Sequence, residues 1–153
     1  MLKAFEIELI ADIRTIPRSR KNPQFESAVL RKTLAENRIA YVHLPALGGL
    51  RHPKKDSINS GWRNESFRGY ADDMQTEEFA AAVENLIEAA AEKRTAIMCA
   101  EAVPWRCHRS LVGDALLVRQ VSVIDILSET NSKEHKLTPF AVIAGRRVTY
   151  PAD

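Results

Sequence analysis

Glu8-Leu9-Ile10-Ala11-Asp12-Ile13 runs directly into Arg14-Thr15-Ile16-Pro17-Arg18-Ser19-Arg20, and this junction decides the fold. The short apolar run reads as a buried strand, and Pro17 with its polar neighbours ends it. Working outward, Asn22-Pro23 has the form of a helix cap followed by proline at the first helical position. Phe25, Val29, Leu30 and Leu34 then recur at helical spacing, so the pattern predicts a helix over Pro23–Asn37. Ile39-Ala40-Tyr41-Val42-His43-Leu44 reads as a second strand, stopped by Pro45. Thr95-Ala96-Ile97-Met98-Cys99-Ala100 reads as a third, followed after Pro104 by a helix from about Trp105 to Arg119. Val121–Leu127 reads as a fourth strand.

Between the second and third strands, Pro45 to Arg68 is a long connection rich in Gly, Pro, Ser and Asn, and loops of that length are more often functional than decorative. Thr76 then caps an acidic helix with Phe79, Val83, Leu86, Ile87 and Ala90 as its apolar stripe, and Glu77 and Glu78 suit its positive end. The tail from Pro139 to Pro151 alternates around Gly145 as a small hairpin would. Strands alternating with helices imply parallel pairing under helical cover. The fold expectation is a small Rossmann-like α/β domain, residues 1–153 forming one unit, with a mainly parallel sheet flanked by helices and a C-terminal hairpin.

With 45% hydrophobic and 27% charged residues, the chain has no disordered or low-complexity signature. No apolar run approaches the ~20 residues that span a bilayer, so no membrane partner is expected. The first residues lack the charged-then-apolar layout of a secretory signal. Two cysteines are too few for a disulfide framework, and a cytoplasmic location is expected. The net charge of +2 is too small to imply a strongly nucleic-acid-coating protein, but the charges are segregated. Arg14, Arg18, Arg20 and Lys21 cluster without an acid, whereas Asp72 to Glu92 is strongly acidic.

Ligands of open parallel sheets bind beyond the carboxyl ends of the strands. Polar groups collect at those ends: Asp12 and Arg14, then His43, then Cys99 and Glu101. The densest stretch is Cys99-Ala-Glu101-Ala-Val-Pro104-Trp-Arg106-Cys107-His108-Arg109. Cys107 and His108 would lie in the first helical turn, where free amides and Arg106 and Arg109 favour a thiolate. Cys99, Glu101, Cys107 and His108 are therefore the candidate catalytic groups. Either cysteine is the nucleophile or a metal ligand, and His108 carries the proton. The alternative is that both cysteines only pack. Asp12, Arg14, Arg18, Arg20, His43 and Arg109 are the candidate ligand-binding groups, since guanidinium forks suit phosphate or carboxylate.

Sharper templates fit poorly. A cysteine-phosphatase loop is excluded by Glu101 and Pro104. Cys99 and Cys107 are eight positions apart, too far for a Cys-x-x-Cys redox motif or closely paired zinc ligands. A metal on Cys99, Cys107, His108 and His43 is only weakly signalled. Trp62-Arg63 and Trp105-Arg106 would suit a nucleobase, although such tryptophans are more often packed. His52 and His135 lie in polar surroundings and suggest nothing.

On these residues the chain resembles the bacterial and archaeal family known as domain of unknown function 488. The matching segments are Asp12 to Arg20, His43-Leu-Pro45-Ala-Leu-Gly48-Gly49, Trp62-Arg63-Asn64 with Phe67-Arg-Gly-Tyr70, Cys99 to Arg109, and Leu137-Thr-Pro139-Phe140. The resemblance implies a Rossmann-like domain and stresses the same residues without supplying a reaction. It also implies an earlier strand ending in a Gly-His-Ser turn, whereas this sequence opens inside what would be the following helix.

The expectation is an enzyme-like domain with a Cys/Glu/His site and an arginine-rich pocket for a small phosphorylated or nucleotide-like anion. The alternatives are a non-catalytic nucleic-acid or anion-binding module and a metal-binding domain.

Overall fold

The computed structural model describes residues 2–15, 23–49, 51–99 and 107–152. Strands β1 (Leu9–Asp12), β2 (Ala40–His43) and β3 (Thr95–Met98) form a parallel sheet in the order β2-β1-β3. The helices are α1 (Ser27–Glu36), α2 (Glu65–Asp73), α3 (Glu77–Glu92) and α4 (Arg109–Leu117). Beyond them, β4 (Ile124–Ser128) pairs antiparallel with β5 (Asn131–Glu134), and β6 (Val142–Ala144) with β7 (Arg147–Thr149).

The central position of β1 follows from its sequence, since all of Leu9–Asp12 is buried. Strand alternation sends Ala11 and Ile13 into one core and Ile10 into another. The larger core joins Phe79, Val83 and Leu86 of α3 to Leu111, Val112 and Ala115 of α4. The smaller collects Ile7, Leu30, Leu34 and Ile39 around Ile10. Helices thus cover both sheet faces, as a parallel sheet requires. Each large side chain on the α3 stripe contributes roughly 1.5–3 kcal/mol by its burial. Thr76 Oγ1 accepts the Phe79 amide at 3.2 Å and starts that helix as the cap predicts.

Three expectations change. The predicted helix over Pro23–Asn37 is divided: Pro23–Phe25 is a 3-10 turn, and the extended backbone of Glu26 (φ −65°, ψ 144°) delays α1 to Ser27. The connection after Pro45 is less irregular than expected. It opens with a 3-10 turn at Pro45–Leu47, and Asn64 caps α2 by accepting from the Ser66 amide at 2.8 Å and the Phe67 amide at 3.2 Å. Finally, the fourth strand does not join the parallel sheet. Its apolar residues sit on a hairpin whose second strand, Asn131-Ser-Lys-Glu134, is wholly exposed. The Gly145 hairpin forms as predicted, with glycine at φ 63° in the turn.

The remaining loop is organised by a buried carboxylate. Asp72 accepts from the Lys54 amide (2.8 Å), Ser57 Oγ (2.6 Å) and Asn59 Nδ2 (2.8 Å). Asn59 is fully enclosed, and its Oδ1 accepts from the Tyr150 amide at 2.9 Å, tying the loop to the C-terminal strands. No helix among the described residues is long and apolar enough to cross a membrane.

Candidate functional site

Parallel register puts Asp12 opposite both His43 and Met98, so the three strands end level and their exits share one edge. Asp12 is fully enclosed and Arg14 is 7% exposed. Arg14 grips the carboxylate in a fork, with Nε 2.9 Å from Oδ1 and Nη2 2.6 Å from Oδ2. Its own amide adds a bond of 3.0 Å, and Tyr41 Oη donates to Oδ2 at 2.6 Å. Burial alone would raise the Asp12 pKa, but the bonds from Arg14 and Tyr41 outweigh it and hold the carboxyl below its usual range. Burial and the neighbouring carboxylate push the Tyr41 phenol up to about 12. At neutral pH this is a closed carboxylate–guanidinium–phenol cluster, and Arg14 Nε and Nη2 are committed within it.

Two imidazoles clamp the exit of β1. His43 Nε2 donates to the Arg14 carbonyl at 2.6 Å, and His108 Nε2 donates to the Ile13 carbonyl at 3.1 Å. A carbonyl can only accept, so Nε2 carries the proton in each ring. Burial lowers the His108 pKa; the Ile13 and Leu47 carbonyls oppose this, while Arg109 and Arg51 reinforce it, and the net shift is downward. The neutral His108 ring therefore presents Nδ1 as an acceptor, and Nδ1 lies 3.5 Å from Cys107 Sγ.

The space for this ring comes from the Gly48–Gly49 turn. A Cβ on Gly49 would lie 2.7 Å from His108 Nδ1, so the glycine makes room for the imidazole. Tyr70 completes the wall, with its ring centroid 4.9 Å from that of His108 and its hydroxyl bonded to the Leu47 carbonyl at 2.9 Å.

Cys99, just past β3, is paired with Cys107 at the entrance to α4. The expected helical first turn lies slightly later than predicted: His108 is the N-cap, and Cys107 precedes it. The Arg109 amide points at Cys107 Sγ from 3.4 Å, as the positive helix end implies. Cys107 is 3% exposed, whereas Cys99 is half-buried and lines a groove of about 950 Å³ along β3. Arg14 and Arg109 line the same groove at the carboxyl end of the strand, and apolar residues such as Ile7, Leu34, Leu86 and Val123 line its length.

The structure thus gathers Asp12, Arg14, His43, Cys99, Cys107, His108 and Arg109 at one edge. Glu101, Arg18, Arg20, Trp105 and Arg106 lie outside the described residues. Among the described residues, no group of three or more His, Cys, Asp or Glu side chains is arranged to hold a metal ion. Trp62 is a packing residue, in edge-on contact with Phe67 and Phe140 and tilted against Tyr150.

One polar centre escaped sequence reasoning. Asp114 of α4 is fully enclosed and accepts from His135 Nε2 (3.0 Å), Thr138 N (3.2 Å), Thr138 Oγ1 (2.6 Å) and Tyr150 Oη (2.7 Å). His135 Nδ1 faces Asp125 Oδ2 at 3.0 Å. The available signal was an acid inside Leu111-Val112-Gly113-Asp114-Ala115-Leu116, since a carboxylate amid apolar helix residues needs donors.

Fold and site together define a Rossmann-like α/β domain with a cysteine–histidine cluster at the carboxyl edge of its parallel sheet. The chain belongs to the family described as domain of unknown function DUF488, whose model matches residues 1–116. No curated protein and no solved structure is similar enough to count as a match.

Proposed function

We propose that this is an enzyme-like domain whose cysteine–histidine edge acts on a small phosphorylated or nucleotide-like anion. The observation that carries the reading is the orientation of His108. Its Nε2 is occupied by the Ile13 carbonyl, so Nδ1 is aimed at Cys107 Sγ and can take a thiol proton. With both cysteines reduced, the Cys107 thiol is supported by a neutral imidazole and the Arg109 amide, and Cys99, half-buried on the groove, is the nucleophile a ligand meets. Glu101 would supply the acid.

Arg14 is best read as a positioning residue, because Asp12 holds its fork. It fixes the backbone at residue 14, and Arg18 and Arg20, which follow in the sequence, would meet the anion. The packed state of Trp62 takes support from the alternative of a nucleobase-stacking module.

Thermal melting of the reduced protein with inorganic phosphate, AMP and ATP tests the proposal. Ligand at about a hundred times its Kd adds ~2.7 kcal/mol of stability. The expected result is a rise in Tm that Arg18→Ala with Arg20→Ala abolishes. No shift with any of the three at millimolar concentration would overturn the anion reading.

A further inference from the structure

The cysteine pairing carries a further activity. Cys99 and Cys107 are too far apart in sequence for a dithiol motif, yet the fold joins their sulfurs across the gap between β3 and α4. Their surroundings differ. Cys99 is half-buried and opens on the groove along β3, whereas Cys107 is enclosed beside His108 Nδ1 and the Arg109 amide. An external reagent therefore reaches one sulfur, and the base serves the other.

We infer that Cys99 and Cys107 form a redox-active dithiol exchanging electrons with small disulfides, Cys99 being the entry sulfur and Cys107 the resolving one. In the first step the Cys99 thiolate attacks one sulfur of the external disulfide. The external S–S bond breaks, a mixed disulfide forms on Cys99, and one thiolate leaves with the proton that Cys99 gave up. In the second step Cys107 passes its proton to His108 Nδ1 and attacks Cys99 Sγ. The mixed disulfide breaks, the Cys99–Cys107 bond forms, and the second thiolate leaves, taking the proton back from His108. Two protein thiols lose two electrons and one external disulfide gains them. The reverse sequence, driven by excess small thiol, restores the dithiol.

The site is that of the proposed function, but this activity requires no anion, so its failure would leave the phosphate and nucleotide melts to be judged separately. Oxidised glutathione is the probe, and quenched samples are read by intact-protein mass. The reduced wild-type protein should lose two hydrogens and retain no glutathione. Cys107→Ser should stop at one glutathione on Cys99, because the resolving sulfur is gone. Cys99→Ser should remain largely unmodified over the same interval, because Cys107 is enclosed. Should a serine variant fail to fold, the wild-type time course still decides: a transient adduct confined to Cys99 and then the intrachain bond supports the assignment. Adducts on both cysteines, an adduct entering first at Cys107, or no exchange at all would overturn it.

Discussion

The Asp114 centre gives the most quantitative test of how this fold is held. Asp114→Asn is nearly isosteric, and the amide can keep its oxygen toward the His135 Nε2 and Thr138 amide donors. Its NH2 group then meets the Thr138 and Tyr150 hydroxyls, which both sit on Oδ2 and can rotate to accept. What is lost is the charge that His135 faces. Replacing a hydrogen bond to a charged group, worth ~1.5–3 kcal/mol, by a neutral one worth ~0.5–1.5 costs about 1–2 kcal/mol. In a chain of this size each kcal/mol moves Tm by about 2–4 °C, so a fall of about 2–8 °C is expected. The pH dependence carries the diagnostic sign. The bond to Asp114 raises the His135 pKa; burial opposes this, and Asp125 adds to the rise. A folded-state value above the unfolded one means that this stabilisation is complete below the ordinary histidine value of ~6.5 and disappears as pH rises through the folded value. Thermal melts of wild type and Asp114→Asn, followed by circular dichroism from about pH 6 upward, should therefore converge. A Tm difference that stays constant or widens with pH would refute the charge-based account.

Two further outcomes follow from the carboxyl edge. Arg14→Ala removes the cation from an enclosed carboxylate and leaves, among the described residues, Tyr41 and the residue 14 amide to serve it, so denaturant unfolding should show a loss of about 3–5 kcal/mol. Gly49→Ala places a methyl group against His108 Nδ1; it should cost about 1–3 kcal/mol of stability and shift the His108 ring resonances in NMR, while His135 keeps its own.

The legible parts of the fold were those in which local pattern and tertiary burial agree. All of β1 is buried, so a continuous apolar run marks it, and Thr76 before Glu77-Glu78 marks the start of α3. By contrast, α2 begins at Asn64 after a stretch of turn-forming residues, and its short length hides its period within the loop signal. All four residues of β5 are exposed and the strand is defined by its pairing with β4, so composition cannot reveal it. Without β5 in view, the apolar residues of β4 look like another buried strand. The site divides in the same way. The adjacency of Asp12 to Arg14 and of Cys107 to His108 is written along the chain, whereas the pairing of Cys99 with Cys107 depends on how far α4 folds back over β3. The partners of Asp114 arrive from His135, Thr138 and Tyr150, with Asp125 on the far side of the His135 ring, only after the C-terminal hairpins pack, and no spacing rule anticipates that.

The two histidines explain why the carboxyl edge behaves as one piece although strand alternation divides its side chains between opposite faces. Asp12 and Tyr41 meet on the α1 side of the sheet, while Ile13 and Cys99 pack with the larger core beneath α3 and α4. What joins the two sides is the backbone leaving β1. Consecutive carbonyls, those of Ile13 and Arg14, accept from His108 and His43 respectively. His108 also faces Cys107, and Arg14 also grips Asp12. A displacement of His108, by ligand or by a change at the sulfurs, therefore acts on the peptide unit next to the one that fixes the arginine. Arg18 and Arg20 follow that arginine four and six positions later in the sequence. Under the proposed function, chemistry at the cysteines and the setting of Arg14 meet on adjacent peptide units, which is the physical basis for expecting them to respond together.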